Sequence, residues 1–235
     1  MVFGENDYTE LEKKINYTFK DKNHLDIAFT HKSFVNEYRK KKIPSYERYE
    51  YLGDAVLEFI VSNELFKRYP EKSEGELTKL RASLVCEYTL SQITEKFSFG
   101  DYLYLSNGEE VTGGRNRSSI LCDLFESVLG AIYLDGGIKE AKNYVVRHLL
   151  TDIQNKVLFH DSKSLLQEYV QKIGNTLTYR EISETGPDHN KTYEVEVVIT
   201  GADGEEKTYE KGVGNTKKGA EQIAAHKTLL TLGVY

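Results

Sequence analysis

The stretch Glu47-Arg48-Tyr49-Glu50-Tyr51-Leu52-Gly53-Asp54-Ala55-Val56-Leu57 decides how the chain is read. Leu52, Val56, Phe59 and Ile60 recur at i, i+4, i+7 and i+8, the spacing of an amphipathic helix. At about 100° per residue, Glu47, Glu50 and Asp54 fall within roughly 60° of one another, and Glu58 lies on the same face. Like charges so placed repel by roughly a few tenths of a kcal/mol per pair. On a solvated face that cost is trivial. On an enclosed face it is severe and calls for a cation. The apolar residues Leu52, Val56, Leu57, Phe59 and Ile60 leave little of the helix free, which favours enclosure.

A second acidic pair, Asp123 and Glu126, stands at i, i+3 inside Ile120–Ile132, a helix apolar nearly all round. Asp123, near the helix start, is explained by the helix dipole alone; Glu126 is not. Two helices that each bring a pair of acids can build an all-oxygen site. Oxygen ligands without Cys or His suit Mg²⁺ or Mn²⁺, metals that serve phosphoryl chemistry. A ferritin-like di-iron site takes Glu-x-x-His, and neither cluster has the His. Glu74 precedes a helix expected to begin near Leu77, where an acid is ordinary dipole chemistry. Gly113-Gly114-Arg115-Asn116-Arg117-Ser118-Ser119 leads into the second acidic helix and either caps it or cradles phosphate. It lacks the lysine and spacing of a P-loop, so no nucleotide cofactor is expected. His31 reads as a buried, hydrogen-bonded histidine rather than a ligand.

Outward from these helices, Leu11, Ile15, Phe19, Leu25, Ala28, Phe29, Leu80, Leu84, Leu90, Ile93, Leu124, Val128, Ala131 and Ile132 keep helical spacing, with Pro44 and Pro70 at breaks. An all-α domain over residues 1–155 is expected. The period then changes. Ser164 to Ile173 reads as helix, Leu177 to Ile182, Tyr193 to Ile199 and Lys207 to Val213 as strands, and Asn215 to Leu232 as helix. Gly201-Ala202-Asp203-Gly204 is a hairpin signal. The order α-β-β-β-α makes a small α+β domain over 162–235, with Asp152 to Ser162 joining the parts. Thr216-Lys217-Lys218 opens the last helix. Two lysines in a first turn oppose the helix dipole; they are either solvated or placed to meet an external anion, with Gly212 and Gly214 allowing close approach.

The chain has 235 residues, 39% hydrophobic and 29% charged, which excludes wholesale disorder. No run of about 18 apolar residues marks a membrane span. The start, MVFGENDYTELEKK, lacks the order of a signal peptide. Cys86 and Cys122 make neither a disulfide scaffold nor a zinc site. A cytoplasmic, reducing location is expected. The net charge is −6, and residues 162–235 carry nine Lys and Arg against eleven Asp and Glu. Any binding of nucleic acid therefore rests on where the cations sit, not on their number.

The stretch Glu47 to Leu57 closely resembles the ribonuclease III signature, ERLEFLGD followed by Ala or Ser, with Tyr49 for Leu and Tyr51 for Phe. Thr30-His31-Lys32-Ser33, Gly113-Gly114-Arg115, and Asp123-x-x-Glu126 followed by Gly130-Ala131-Ile132-Tyr133-Leu134-Asp135 resemble the same family. The tail resembles a double-stranded-RNA-binding domain through Leu166-Gln167-Glu168-Tyr169, Gly186-Pro187-Asp188-His189 and Gly212-x-Gly-x-Thr216-Lys217-Lys218-x-Ala220. The resemblance implies a bacterial-type endoribonuclease, an all-α nuclease domain plus an RNA-binding domain. It implies Glu50, Asp54, Asp123 and Glu126 as Mg²⁺ ligands (Mn²⁺ as substitute), with Asp54 and Glu126 catalytic and Glu47 and Glu74 as outer acids. It implies 5′-phosphate and 3′-hydroxyl ends with short 3′ overhangs, ribosomal RNA precursors among the substrates, and a homodimer with Tyr51 at its interface. Gln167, Glu168 and His189 would meet ribose hydroxyls, and Lys217 and Lys218 phosphates, in A-form RNA. A non-catalytic RNA binder has no use for six acids, and a small-molecule di-metal enzyme none for the tail.

Overall fold

The computed structural model describes residues 3–38, 42–186 and 191–234. The chain forms two compact units, residues 1–153 and 154–235. The first holds α1 (Thr9–Ile15), α2 (Asn23–Ala28), α3 (Lys32–Glu37), α4 (Glu47–Arg68), α5 (Glu74–Leu84), α6 (Glu87–Phe97), α7 (Asn107–Val111) and α8 (Ser118–His148). Helix α4 ends just before Pro70, because a proline disfavours helical backbone in the residue ahead of it. Helix α5 starts at Glu74, three residues earlier than expected. The Ser73 hydroxyl accepts from the Glu76 amide, and the Glu76 carboxylate accepts from the Ser73 amide at 2.9 Å, a closed capping box.

Helix α8 is the spine of this unit, with α4, α6 and α2 packed on it. Leu124, Phe125, Val128, Leu129, Ala131 and Ile132 are fully buried there, as the i, i+4 pattern requires. Gly137, at φ +79°, breaks the ladder of α8 in a conformation that costs glycine little. The apolar pattern of α4 misled at one position: Phe59 is 61% exposed, and so are Tyr51 at 81% and Phe66 at 71%. At about 100° per residue these three rings share an ~80° sector of α4, turned away from α8.

The second unit contains α9 (Ile153–Lys172), β1 (Thr176–Thr185), β2 (Thr192–Thr200), β3 (Glu206–Gly214) and α10 (Lys217–Thr231). The join Asp152 to Ser162 is mostly helix, since α9 runs unbroken through it. No glycine or proline interrupts Ile153–Lys172, and buried Phe159 packs its ring at 5.2 Å from His226 on α10. The three strands form an antiparallel sheet in the order β1-β2-β3. Leu166 and Val170 of α9, Val197 and Ile199 of β2, and Ala224, Ala225 and Leu229 of α10 make one buried core. Gly212 and Gly214 serve that core rather than a ligand. A Cβ on Gly212 would lie 2.0 Å from the Ala220 carbonyl oxygen, and one on Gly214 2.8 Å from the Ala220 nitrogen. The close approach they permit is that of α10.

Candidate metal centre and active site

The site is made where α4 crosses α8. A Cβ on Gly53 would stand 1.8 Å from the carbonyl oxygen of Glu126, and one on Gly130 would stand 2.3 Å from that of Tyr49. Only glycine at both positions lets the two backbones touch. The contact sets the acidic face of α4 against that of α8. Glu50, Asp123 and Glu126 each offer a carboxylate oxygen within 4.8 Å of the others, all three half-buried. Among the described residues no other group of three such side chains comes together in this way.

The electrostatics of the cluster are those of anions held against one another. Burial, then the charges of Asp123 and Glu47, push Glu50 up to about 7. Burial, then Asp54, Asp123 and Glu50, push Glu126 up to about 8. Asp123 is also raised, chiefly by burial, although its hydrogen bond from Tyr46 and the charge of Lys32 act the other way. The Tyr46 hydroxyl donates to Asp123 Oδ2 at 2.9 Å. Tyr46 is itself buried, and burial with the charge of Asp123 holds its phenol far above the ordinary range. A hard divalent cation relieves all three carboxylates at once and takes oxygen donors only. The residues present fit such an ion.

The other expected acids stand further out. Asp54 is exposed one turn beyond Glu50 and lies outside the close triad, yet after burial its charge is the largest influence on Glu126. Glu47 is exposed at the rim, 3.7 Å from Lys32, and accepts from the Ser45 hydroxyl at 3.0 Å. It lines a cleft of about 410 Å³ with Glu50, Asp123, His31, Lys32 and Arg117. Glu74 is exposed in the first turn of α5, accepts from the Thr78 hydroxyl at 3.0 Å and does not line that cleft. Glu58, on the acidic face of α4, is drawn off by Arg81 at 2.7 Å. His31 is buried and caps α3, its Nδ1 accepting from the Ser33 amide at 3.2 Å. The glycine-rich loop is held by its arginines: Arg115 pairs with Glu110 and Arg117 with Glu109. Spacing alone did not single out Tyr46 or Gly130. A glycine inside a long apolar helix was the available signal for Gly130; nothing in the periodicity marks Tyr46.

In the second unit, Gln167 is half-buried and Glu168 exposed on α9, and Lys217 and Lys218 are exposed in the first turn of α10. Thr216 caps that helix, its hydroxyl accepting from the Gly219 amide at 3.0 Å. Lys217 pairs with Glu181 of β1 at 2.8 Å. His189 lies outside the described residues.

Known proteins match along nearly the whole chain. Residues 21–153 fit a family model described as Ribonuclease-III-like, and residues 162–232 fit the double-stranded RNA binding motif. A protein named Ribonuclease 3 from Listeria monocytogenes serotype 4b is 44% identical over 223 residues, covering 94% of this chain and 95% of the relative. Ribonuclease 3 of Geobacillus thermodenitrificans is 45% identical over 228 residues, covering 96% and 91%. A solved nuclease domain of Ribonuclease III from Campylobacter jejuni superposes with a TM-score of 0.57 at 42% identity. It covers 61% of this chain and 96% of that one, and is described for flexibility in the region involved in its dimer formation. Fold, site and matches together define an endoribonuclease for double-stranded RNA, a divalent-metal nuclease domain followed by an RNA-binding domain. The chain belongs to the ribonuclease III family.

Proposed function

We propose that this chain hydrolyses phosphodiesters of double-stranded RNA with Mg²⁺, which Mn²⁺ replaces, held by Glu50, Asp54, Asp123 and Glu126. The products are 5′-phosphate and 3′-hydroxyl ends with short 3′ overhangs, and ribosomal RNA precursors are among the substrates. The observation that carries this reading is the triad of half-buried carboxylates, each with an oxygen within 4.8 Å of the others, two of them raised to about 7 and about 8. When bound, the ion supplies a water of lowered pKa and neutralises charge on the phosphate. Glu126 and Asp54 are the catalytic carboxylates. Glu126, half-buried and raised, carries its proton near neutral pH until the site is loaded and then gives it up. Asp54, exposed on the open side, faces the phosphate. Glu47 and Glu74 are outer acids of the cleavage surface.

Residues 1–155 carry the chemistry and 162–235 hold the duplex. Gln167, Glu168 and His189 meet ribose hydroxyls, and Lys217 and Lys218 meet phosphates. Lys217 exchanges Glu181 for RNA as it does so. The exposed rings of Tyr51, Phe59 and Phe66 support a homodimer with Tyr51 in its interface. No helix among the described residues is long and apolar enough to cross a membrane, and we place the enzyme in the cytoplasm.

The test is a long labelled RNA duplex incubated with and without Mg²⁺ and run on a denaturing gel. Discrete shortening in the Mg²⁺ lane alone is expected. Intact duplex in every lane, Mn²⁺ included, would overturn the reading.

A further inference from the structure

Tyr46 belongs to neither acidic pair, yet it touches both helices that make the site. Its carbonyl accepts from the amide of Glu50 at 2.9 Å and so sets the first turn of α4. Its own amide donates to the carbonyl of Thr30 at 2.8 Å, tying that turn to the segment between α2 and α3. Its ring is 3% exposed and lies 5.7 Å from that of His31. Its hydroxyl crosses to α8 and donates to Asp123 Oδ2 at 2.9 Å. One rigid side chain thereby spans from the backbone that orients Glu50 to the carboxylate of Asp123.

We propose that Tyr46 is a positioning residue of the metal centre. Its hydroxyl occupies one oxygen of Asp123 and turns the carboxylate so that the triad with Glu50 and Glu126 is set before an ion arrives. The proposal rests on the metal-dependent reading above. A phenol suits the task better than a flexible donor. Its ring is clamped by packing, and only one torsion of the hydroxyl is lost on bonding. Loss of a group that holds a metal ligand from behind typically costs roughly 10- to 100-fold in metal affinity or activity.

The molecule contains its own control. Tyr8 is also buried, and its hydroxyl also donates to an aspartate, Asp26 Oδ1, at 2.8 Å, away from the acidic cluster. Tyr8→Phe and Tyr46→Phe each remove one oxygen and keep the ring. The full-length chain and both variants are titrated with Mn²⁺ without RNA, reading free Mn²⁺ by electron paramagnetic resonance, and metal-free melting is recorded for each. Tyr46→Phe is expected to raise the Mn²⁺ dissociation constant at least about tenfold. Tyr8→Phe is expected to leave it within about twofold, although its melting temperature falls. In cleavage, Tyr46→Phe should need more Mg²⁺ for half-maximal rate, with KM for the duplex unchanged and kcat recovered at high Mg²⁺. Equal Mn²⁺ affinity in the parent and Tyr46→Phe would overturn the proposal, as would an equal loss in both variants. A parent that neither binds Mn²⁺ nor cleaves RNA would instead overturn the metal-dependent reading beneath it.

Discussion

Helices α4 and α8 pack along their length, and two places on that interface treat acidic side chains in opposite ways. At one, Glu64 of α4 is 8% exposed and is met by Lys142 of α8 at 2.8 Å and by Arg68 at 3.8 Å. The lysine beside it holds the Glu64 carboxyl below its ordinary range. At the other, Glu50 of α4 meets Asp123 and Glu126 of α8, and all three are raised. The same helix pair thus sets a cation against a carboxylate at one place and carboxylates against one another at the other. The first is a structural ion pair. The second is a cost to the folded chain, tolerated because an ion removes it. Stability and function are therefore separable along one interface, and substitution at each end reads them out separately.

Gly53→Ala makes the largest break. A methyl group 1.8 Å from the Glu126 carbonyl must push α4 and α8 apart at the acidic end. Overpacking of this kind costs about 1–3 kcal/mol of stability, and a displacement of about 1 Å in a catalytic site costs about a hundredfold in rate. Urea unfolding and single-turnover cleavage measure the two. A variant with unchanged cleavage would show that the crossing does not set the site.

The pH dependence of the metal-free protein sharpens the contrast. A carboxyl whose folded pKa is raised favours the fold while protonated, and that support is lost as pH climbs through the folded value. With Glu50 at about 7 and Glu126 at about 8, their support should fall away between about pH 5 and pH 8. His31, His148 and His226, lowered by burial from 6.5, act in the opposite sense below that value, so the melting temperature should fall above about pH 6.5. Saturating Mg²⁺ should flatten the fall, and Glu126→Gln should reduce it. Glu64, lowered by Lys142, contributes with the opposite sign and only at acid pH. A metal-free melting temperature that rises between about pH 6.5 and pH 8 would contradict this assignment.

Glu64→Gln is the smallest change. It removes the charge that Lys142 and Arg68 share, a pair that reaches solvent through the lysine. About 1 kcal/mol or less is expected in urea unfolding, with cleavage and its Mg²⁺ dependence unaltered. A loss of cleavage comparable with that of a cluster variant would merge the two ends into one network.

Spacing made the acidic face of α4 legible because angle around a helix follows from residue number alone. Leu124, Val128, Ala131 and Ile132 gave the buried face of α8 in the same way, and Val195, Val197 and Ile199 gave the strand β2. What one helix cannot say is what packs against it. Phe59 fits the apolar pattern but faces solvent, because α8 covers the other side of α4. Glu58 and Asp54 share the acidic face with Glu50, but Arg81 draws the first off and the second remains exposed beyond the triad. Gly212 read as room for a ligand and proved to be room for Ala220. Tyr46 stayed hidden because its partner, Asp123, lies on another helix far along the chain.

The most direct measurement compares Glu126→Gln with the parent on one labelled duplex, scoring cleavage on a denaturing gel and binding by mobility shift in Ca²⁺. Glutamine keeps the shape of the side chain and removes one carboxylate from the triad. Cleavage is expected to fall by at least about 10³-fold, as removal of several kcal/mol of transition-state stabilisation requires, with duplex affinity unchanged. Cleavage at the parent rate would contradict the proposed site, because the carboxylates where α4 crosses α8 would then not be the metal centre of the enzyme.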